Sequence, residues 1–311
     1  MSRPDLRVKL GGLVLKNPVL TASGCSGYGA ELAGLCDLGK LGGLCTKGLS
    51  REPRAGNPPP RIRETTAGML NSIGLENIGM EAFLSEKVPA LRGLETAVIT
   101  NLFGTTVDEY ATLCEMAEDC ERIDAVELNV SCPNVEEGGV EFGLDPVMAA
   151  KVTAAARRAT KKTLLVKLSP NAGDAIVSVA RAVADAGADA VSVMNTISGM
   201  DIDVARRRPW LARTTGGLSG PAIKPIALRM VHLIHSEVAV PIVGIGGIRS
   251  WEDAAAFLLA GASAVQVGSA CFSNPRAPEQ VLDGLIDWLA GENARSAAQM
   301  VGALRTGPEA W

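Results

Sequence analysis

Gly187-Ala188-Asp189-Ala190-Val191-Ser192-Val193 returns later in the chain as Gly261-Ala262-Ser263-Ala264-Val265-Gln266-Val267. In each copy an Ala-rich stretch precedes the glycine and a β-prone run follows it. A glycine that ends a helix just before a strand is a common cap, and repeated helix–Gly–strand units are what a barrel of parallel strands requires. Similar packing needs at equivalent positions account for the echo on their own, so it speaks to the fold and not to the function.

Working outward from the echo, short β-rich runs alternate with longer helical ones. A small hairpin comes first, Arg7–Leu10 and Leu13–Leu15, turned at Gly11-Gly12. Eight candidate strands follow: Val19–Ala22, Gly43–Thr46, Ala97–Leu102, Ala125–Val130, Leu164–Leu168, Ala190–Met194, Pro241–Ile245 and Ala264–Val267. Helical stretches separate them, among them Asp145–Thr160, Ala172–Ala186, Ile223–Glu237 and Trp251–Ala260. Strand then helix, eight times over, predicts an α/β fold, a (β/α)8 TIM barrel with a short N-terminal β-hairpin. Such barrels exceed the usual length of a domain, so 1–311 is read as a single domain.

Composition agrees. Hydrophobic residues make up 47% and aromatics only 4%, so the core is built of Ala, Val, Leu and Ile, which suit strands covered on both faces. A net charge of -4 argues against a nucleic-acid partner, and the run Arg206–Arg208 reads as a solvated loop. No apolar stretch reaches membrane-spanning length and Met1-Ser2-Arg3-Pro4-Asp5 lacks a signal-peptide core, which predicts a cytoplasmic protein with no membrane contact. Seven cysteines with no CxxC pair fit neither a disulfide framework nor a metal site. His232 and His235, three apart on a helix, lack a third ligand and read as structural or surface residues.

Two stretches interrupt the rhythm: Arg51 to Leu75, rich in Pro and Gly, and Pro133 to Pro146, after the fourth strand. Both are expected as long loops over the C-terminal face, where barrel sites lie; long loops in compact domains usually serve function, and the second could act as a lid.

The chemistry-bearing residues gather at the strand ends. Strand seven ends in Gly244-Ile245-Gly246-Gly247 and strand eight in Gly268-Ser269, a place where backbone N–H groups can approach a phosphate; Ser250 should cap the following helix. Strand one is followed by Ser23-Gly24, strand two by Lys47-Gly48 and strand three ends near Asn101; strands four, five and six contribute Asn129, Lys167 and Asn195-Thr196. Asparagine both donates and accepts, so three of them suit a planar ring bearing amide groups. A lysine can stabilise negative charge growing on a reduced ring. Cys132, in Asn129-Val130-Ser131-Cys132-Pro133-Asn134, sits in the loop after strand four. A thiol with an ordinary pKa of about 8.5 can serve there as a general base or nucleophile. On these residues alone, a non-redox lyase or isomerase holding a phosphorylated substrate remains open.

Four phrases carry a resemblance: Asn17-Pro18-Val19-Leu20-Thr21-Ala22-Ser23-Gly24, Asn71-Ser72-Ile73-Gly74-Leu75, Glu127-Leu128-Asn129-Val130-Ser131-Cys132-Pro133-Asn134 and Gly217-Leu218-Ser219-Gly220. Over about residues 6 to 290 the chain resembles the dihydroorotate dehydrogenases. The resemblance implies an FMN enzyme that oxidises dihydroorotate to orotate in pyrimidine (UMP) biosynthesis. Cys132 looks like the cysteine base of class I, where membrane-bound class II enzymes use serine. Gly27-Tyr28-Gly29, Lys47-Gly48-Leu49 and Glu52-Pro53-Arg54-Ala55-Gly56-Asn57-Pro58-Pro59-Pro60-Arg61 are similar to the B-type branch. That branch passes electrons to NAD through a partner subunit carrying FAD and a 2Fe–2S cluster, and a dimer of this chain within a heterotetramer is implied. Without a cluster-like cysteine set or a Rossmann fingerprint in this chain, those centres would have to come from the partner.

By the same resemblance FMN would contact Ser23, Lys47, Gly48, Asn101, Asn129, Lys167, Met194, Gly220, Gly246, Gly247, Gly268 and Ser269. Dihydroorotate or orotate would meet Lys47, Asn71, Ser72, Ile73, Gly74, Leu75, Asn129, Asn195 and Thr196, with Lys47 as counter-charge to its carboxylate. Ser269 departs from the family's pattern, which favours Thr, but keeps a hydroxyl. Cys132 would remove the C5 proton as hydride leaves C6 for the flavin, Lys167 would stabilise the reduced ring, and the Pro133–Pro146 loop would exclude water. The A-type branch, a fumarate-linked homodimer, and a dihydropyrimidine dehydrogenase-like barrel are the neighbouring alternatives.

Overall fold

A computed structural model describes residues 4–131, 133–134 and 140–307. Eight parallel strands close into a barrel: β1 (Val19–Thr21), β2 (Gly43–Cys45), β3 (Ala97–Leu102), β4 (Ala125–Asn129), β5 (Thr163–Lys167), β6 (Ala190–Val193), β7 (Ile242–Ile245) and β8 (Ala264–Val267). Each pairs with its neighbour in chain order, and the ring shuts where β8 meets β1, Val265 opposite Val19. All eight expected strands form, with ends moved by a residue or so.

Why these runs become strands buried on both faces is visible in their alternation. Leu20, Cys45, Ile99, Ala125, Leu165, Ala190, Val243 and Ala264 face inward and pack on one another. Their neighbours Val19, Leu44, Val98, Val126, Leu164, Val191, Ile242 and Val265 face outward, into the layer shared with the helices. The N-terminal hairpin, Val8–Leu10 with Leu13–Leu15, adds Val8, Leu10 and Leu15 to the inner cluster and so plugs the end of the barrel opposite the site.

The glycines of the echo behave as caps. Gly187 and Gly261 adopt φ of 104° and 119°, and a Cβ on Gly261 would lie 2.2 Å from Cγ of His235, so no larger residue fits. Ser250 closes a capping box with Asp253 at the start of Trp251–Ala260, as its position suggests. The stretch expected as one helix over Ala172–Ala186 is in fact a 3-10 segment, Pro170–Ala175, followed by the α-helix Ile176–Asp185; Gly173, at φ 57°, breaks it. His232 and His235 are exposed, and among the described residues no three His, Cys, Asp or Glu side chains are grouped to hold a metal. No helix among them is long and apolar enough to cross a membrane.

The stretch Arg51–Leu75 is not the simple loop its composition suggests. It contains a hairpin, Ile62–Thr65 with Gly68–Asn71, which continues through Gly216–Ser219 to Ile197–Gly199 as a four-stranded antiparallel sheet. Leu70 stands opposite Leu218. Pairing between segments so distant in sequence leaves no local signature in either one.

Candidate active site

The inward-facing residues change character toward the C-terminal ends of the strands. Above the apolar layer, of which Cys45 is part, stand Asn101, Glu127, Ser192 and Gln266. Glu127 is completely buried, and a carboxylate in that position must be met by donors. Four strands provide them: Cys45 Sγ at 3.3 Å and Asn101 Nδ2 at 2.7 Å donate to Oε1, while Ser192 Oγ at 2.6 Å and Gln266 Nε2 at 2.8 Å donate to Oε2. Burial and the nearby Glu127 charge push the Cys45 thiol well above its ordinary pKa. Of this cluster only Asn101 belongs to the strand-end pattern; Glu127, Cys45, Ser192 and Gln266 are absent from it. The signal was there as a charged residue inside an apolar strand, and as Ser192 and Gln266, which occupy the same place in the two copies of the echo.

The next inward positions, Lys47, Asn129, Lys167, Met194 and Gly268, open onto a cavity of about 690 Å³, within the roughly 300–1,000 Å³ typical of small-molecule sites. Every described residue named above as a cofactor or substrate contact lines this one space. They include Ser23, Gly48 and Asn101 at the ends of the early strands, the Asn71–Leu75 segment beside the antiparallel sheet, and Asn195 and Thr196 after β6. Lys167 is nearly buried, at 7% exposure. Two lysines and three strand-end asparagines in a partly enclosed space make a site for an anionic, amide-bearing ligand.

Hydrogen bonds fix which atoms face that ligand. Oδ1 of Asn129 accepts from Asn195 Nδ2 at 3.0 Å and from Ser131 N at 3.2 Å, which leaves the amide N–H groups of Asn129 to donate into the cavity. Thr196 N donates to Asn195 Oδ1 at 2.8 Å. Behind them, Tyr110 donates its hydroxyl to the Asn129 carbonyl at 2.7 Å and stacks edge-on against Phe142, ring centres 5.6 Å apart. The hydroxyl of Ser131 is buried without a hydrogen-bond partner among the described residues, in the wall of the same cavity.

At the other end of the cavity the chain makes room for a phosphate. Gly220, Gly246 and Gly247 have φ of 95°, 133° and 74°, which only glycine adopts freely. A Cβ on Gly247 would stand 2.8 Å from the Gly220 carbonyl oxygen, and one on Gly220 would be 2.7 Å from the Cα of Gly68. Gly268 and Ser269 complete the rim. Bare backbone at the ends of β7 and β8 fits a phosphate-bearing cofactor such as FMN. The turn is braced from outside by Lys224 Nζ, 2.5 Å from Asp253 Oδ1.

Cys132 lies outside the described residues, as do the side chains through 140. Past that stretch, Glu141 lines the cavity and accepts from Ser169 Oγ at 2.8 Å, tying the end of the Pro133–Pro146 segment to the end of β5. Cys25, given no role by the sequence, also lines the cavity; burial pushes its thiol up to about 11, against the opposing pull of the Lys167 charge. Glu141 and Cys25 stand in connecting segments whose course the local sequence does not reveal.

Fold and site together define a (β/α)8 barrel with an anion- and ring-binding cavity at the C-terminal ends of its strands. Comparison with known proteins narrows this: the family model for dihydroorotate dehydrogenase matches residues 5–289. A Trichlorobacter lovleyi protein named as the catalytic subunit of dihydroorotate dehydrogenase B (NAD(+)) is 55% identical over 302 residues, 97% of this chain and 99% of its own. Proteins of the same name from Geotalea daltonii and Geobacter sulfurreducens are 52% and 53% identical. These matches cover 98% of this chain and 100% and 99% of the relatives. The chain belongs to the dihydroorotate dehydrogenase family, whose members are flavin-dependent.

Proposed function

We propose that this chain is the FMN-binding catalytic subunit of a B-type dihydroorotate dehydrogenase. It oxidises dihydroorotate to orotate in pyrimidine biosynthesis and delivers the electrons to NAD through a second polypeptide. The observation that carries the reading is the division of one cavity into a glycine-built phosphate end and a Lys–Asn end. FMN, when bound, supplies the two-electron acceptor. Lys47 meets the substrate carboxylate, and the Asn129 amide, held by Asn195, donates to a ring carbonyl. Lys167 places a positive charge in the cavity wall, where it favours negative charge on a neighbouring ring. Cys132, following Ser131, takes the proton that the substrate gives up.

The relatives are named as catalytic subunits of an NAD(+) enzyme, which supports a partner for this chain. That partner would carry FAD and a 2Fe–2S cluster, with two copies of each chain in a cytoplasmic heterotetramer and residues 1–311 forming one barrel domain. An anaerobic absorbance spectrum tests the core of the proposal. A yellow protein that bleaches on adding dihydroorotate supports it. A yellow protein bleached by dihydrouracil and not by dihydroorotate points to the dihydropyrimidine dehydrogenase-like alternative, for which Lys47 has no carboxylate to meet. A colourless protein that refuses FMN returns the glycine turns to a phosphorylated substrate.

A further inference from the structure

The hydrogen-bonding direction around Glu127 reaches the cofactor cavity through Asn101. Asn101 is 2% exposed and its Nδ2 donates to Glu127 Oε1 at 2.7 Å. Its other amide atom, Oδ1, accepts no hydrogen bond from the described residues. That oxygen lies against Gly48, where a Cβ would approach it to 2.9 Å, and both residues line the cavity. An amide has two faces of opposite kind, and fixing one fixes the other. Because Glu127 is an acceptor, the Asn101 nitrogen turns down toward it and the oxygen turns toward the cavity.

We infer that Glu127 is a positioning residue for the cofactor: it holds the Asn101 amide so that an oxygen, and not an NH2 group, is offered to the flavin. The inference rests on the FMN reading above. An oxidised isoalloxazine ring carries one N–H, at N3, that needs an acceptor, and a reversed amide facing it would set donor against donor. The other three donors keep Glu127 itself from turning. Ser192 and Gln266 hold Oε2, and Cys45 shares Oε1 with Asn101.

The arrangement predicts the effect of reversing it. In Glu127→Gln the carboxamide oxygen stays with Ser192 and Gln266, and its NH2 then faces Asn101, whose own amide must flip. Exchanging the pair, Glu127→Gln with Asn101→Asp, restores a donor–acceptor contact in the opposite sense and returns an oxygen to the cavity.

The experiment is titration of FMN-stripped protein with FMN, followed by quenching of flavin fluorescence, with thermal melting as the check on folding. Glu127→Gln should bind FMN about ten-fold more weakly or worse, the effect of one misdirected buried polar group, and the exchanged pair should recover to within about three-fold of the parent. Equal affinity in parent and Glu127→Gln overturns the inference, as does a folded exchanged pair no better than the single variant. If Glu127→Gln alone does not fold, the exchanged pair decides by itself, since it keeps the Ser192 and Gln266 contacts and the contact between positions 101 and 127. A parent protein that takes up no FMN overturns the cofactor reading and this inference with it. A parent that binds FMN, with variants that bind as well, removes this inference alone.

Discussion

Asn195 donates through Nδ2 to Oδ1 of Asn129 at 3.0 Å, and this contact decides what Asn129 offers a ligand. With that oxygen occupied by two donors, only N–H groups remain for the cavity. Asn129→Asp replaces them with an acceptor, so orotate should bind about 10- to 100-fold more weakly, the cost of a lost hydrogen bond and a repelled anion. Titration of the oxidised protein with orotate, read in the flavin spectrum, measures it.

Cys132→Ala should keep FMN and orotate affinity and lose most turnover, since only the proton acceptor is removed. In the unmodified protein turnover should rise with pH as the thiol, ordinarily near pKa 8.5, gives up its proton. Steady-state rates of parent and variant between about pH 6 and 9 check both statements, and near-normal turnover in the variant removes Cys132 as the base.

Cys25 should behave as the opposite kind of cysteine. With its pKa at about 11, roughly one molecule in a thousand carries the reactive thiolate at pH 8. Iodoacetamide at that pH should leave Cys25 unmodified after FMN removal, as peptide mass spectrometry would show; rapid labelling would mean that burial does not control it.

Gly247→Ala should yield a protein that purifies with little or no flavin. The methyl group would press on the Gly220 carbonyl at 2.8 Å, from a backbone at φ 74°. Left-handed backbone costs a non-glycine residue about 1–2 kcal/mol, and the turn must shift as well. The ratio of absorbance at 450 and 280 nm gives the flavin content.

Asp253 links stability to pH. Burial raises its pKa, but the Lys224 ammonium and the Arg249 and Ser250 amides outweigh that and hold it below the usual carboxylate value. A carboxyl so depressed stabilises the fold fully above its unfolded pKa, near 3.9, and stops doing so as pH falls through the lower folded value. Asp253→Asn should therefore lower stability by about 1 kcal/mol at pH 7, with the difference shrinking toward pH 3. Urea denaturation at the two pH values measures it.

What the sequence disclosed follows from the range of the interactions involved. The strands of the barrel could be read because each is a run of Ala, Val, Leu and Ile closed by a local signal, such as Gly187 or Gly261. The strand-end residues could be read because a parallel barrel sends all its C-terminal ends to one face, so Lys47, Asn129 and Lys167 share a cavity once the strands are known. The sheet joining 62–71 to 197–219 could not, because Leu70 and Leu218 carry no mark of each other. Glu127 stands inside the stretch 127–134, but its role depends on four partners from four other strands, and no window of sequence contains them together.

The seam between β8 and β1, where Val265 stands opposite Val19, also bears on how the protein is made. A ribosome releases residue 19 long before residue 265, so the first strand must wait, one edge unpaired, until nearly the whole chain has emerged. Such an edge can recruit a strand from another molecule. Throughout synthesis the nascent chain is therefore an open sheet, and a product cut short before residue 264 would keep that exposed edge permanently. The ring is completed only by its last strand, and with it the glycine turns after β7 and β8 that line the cavity come into place together.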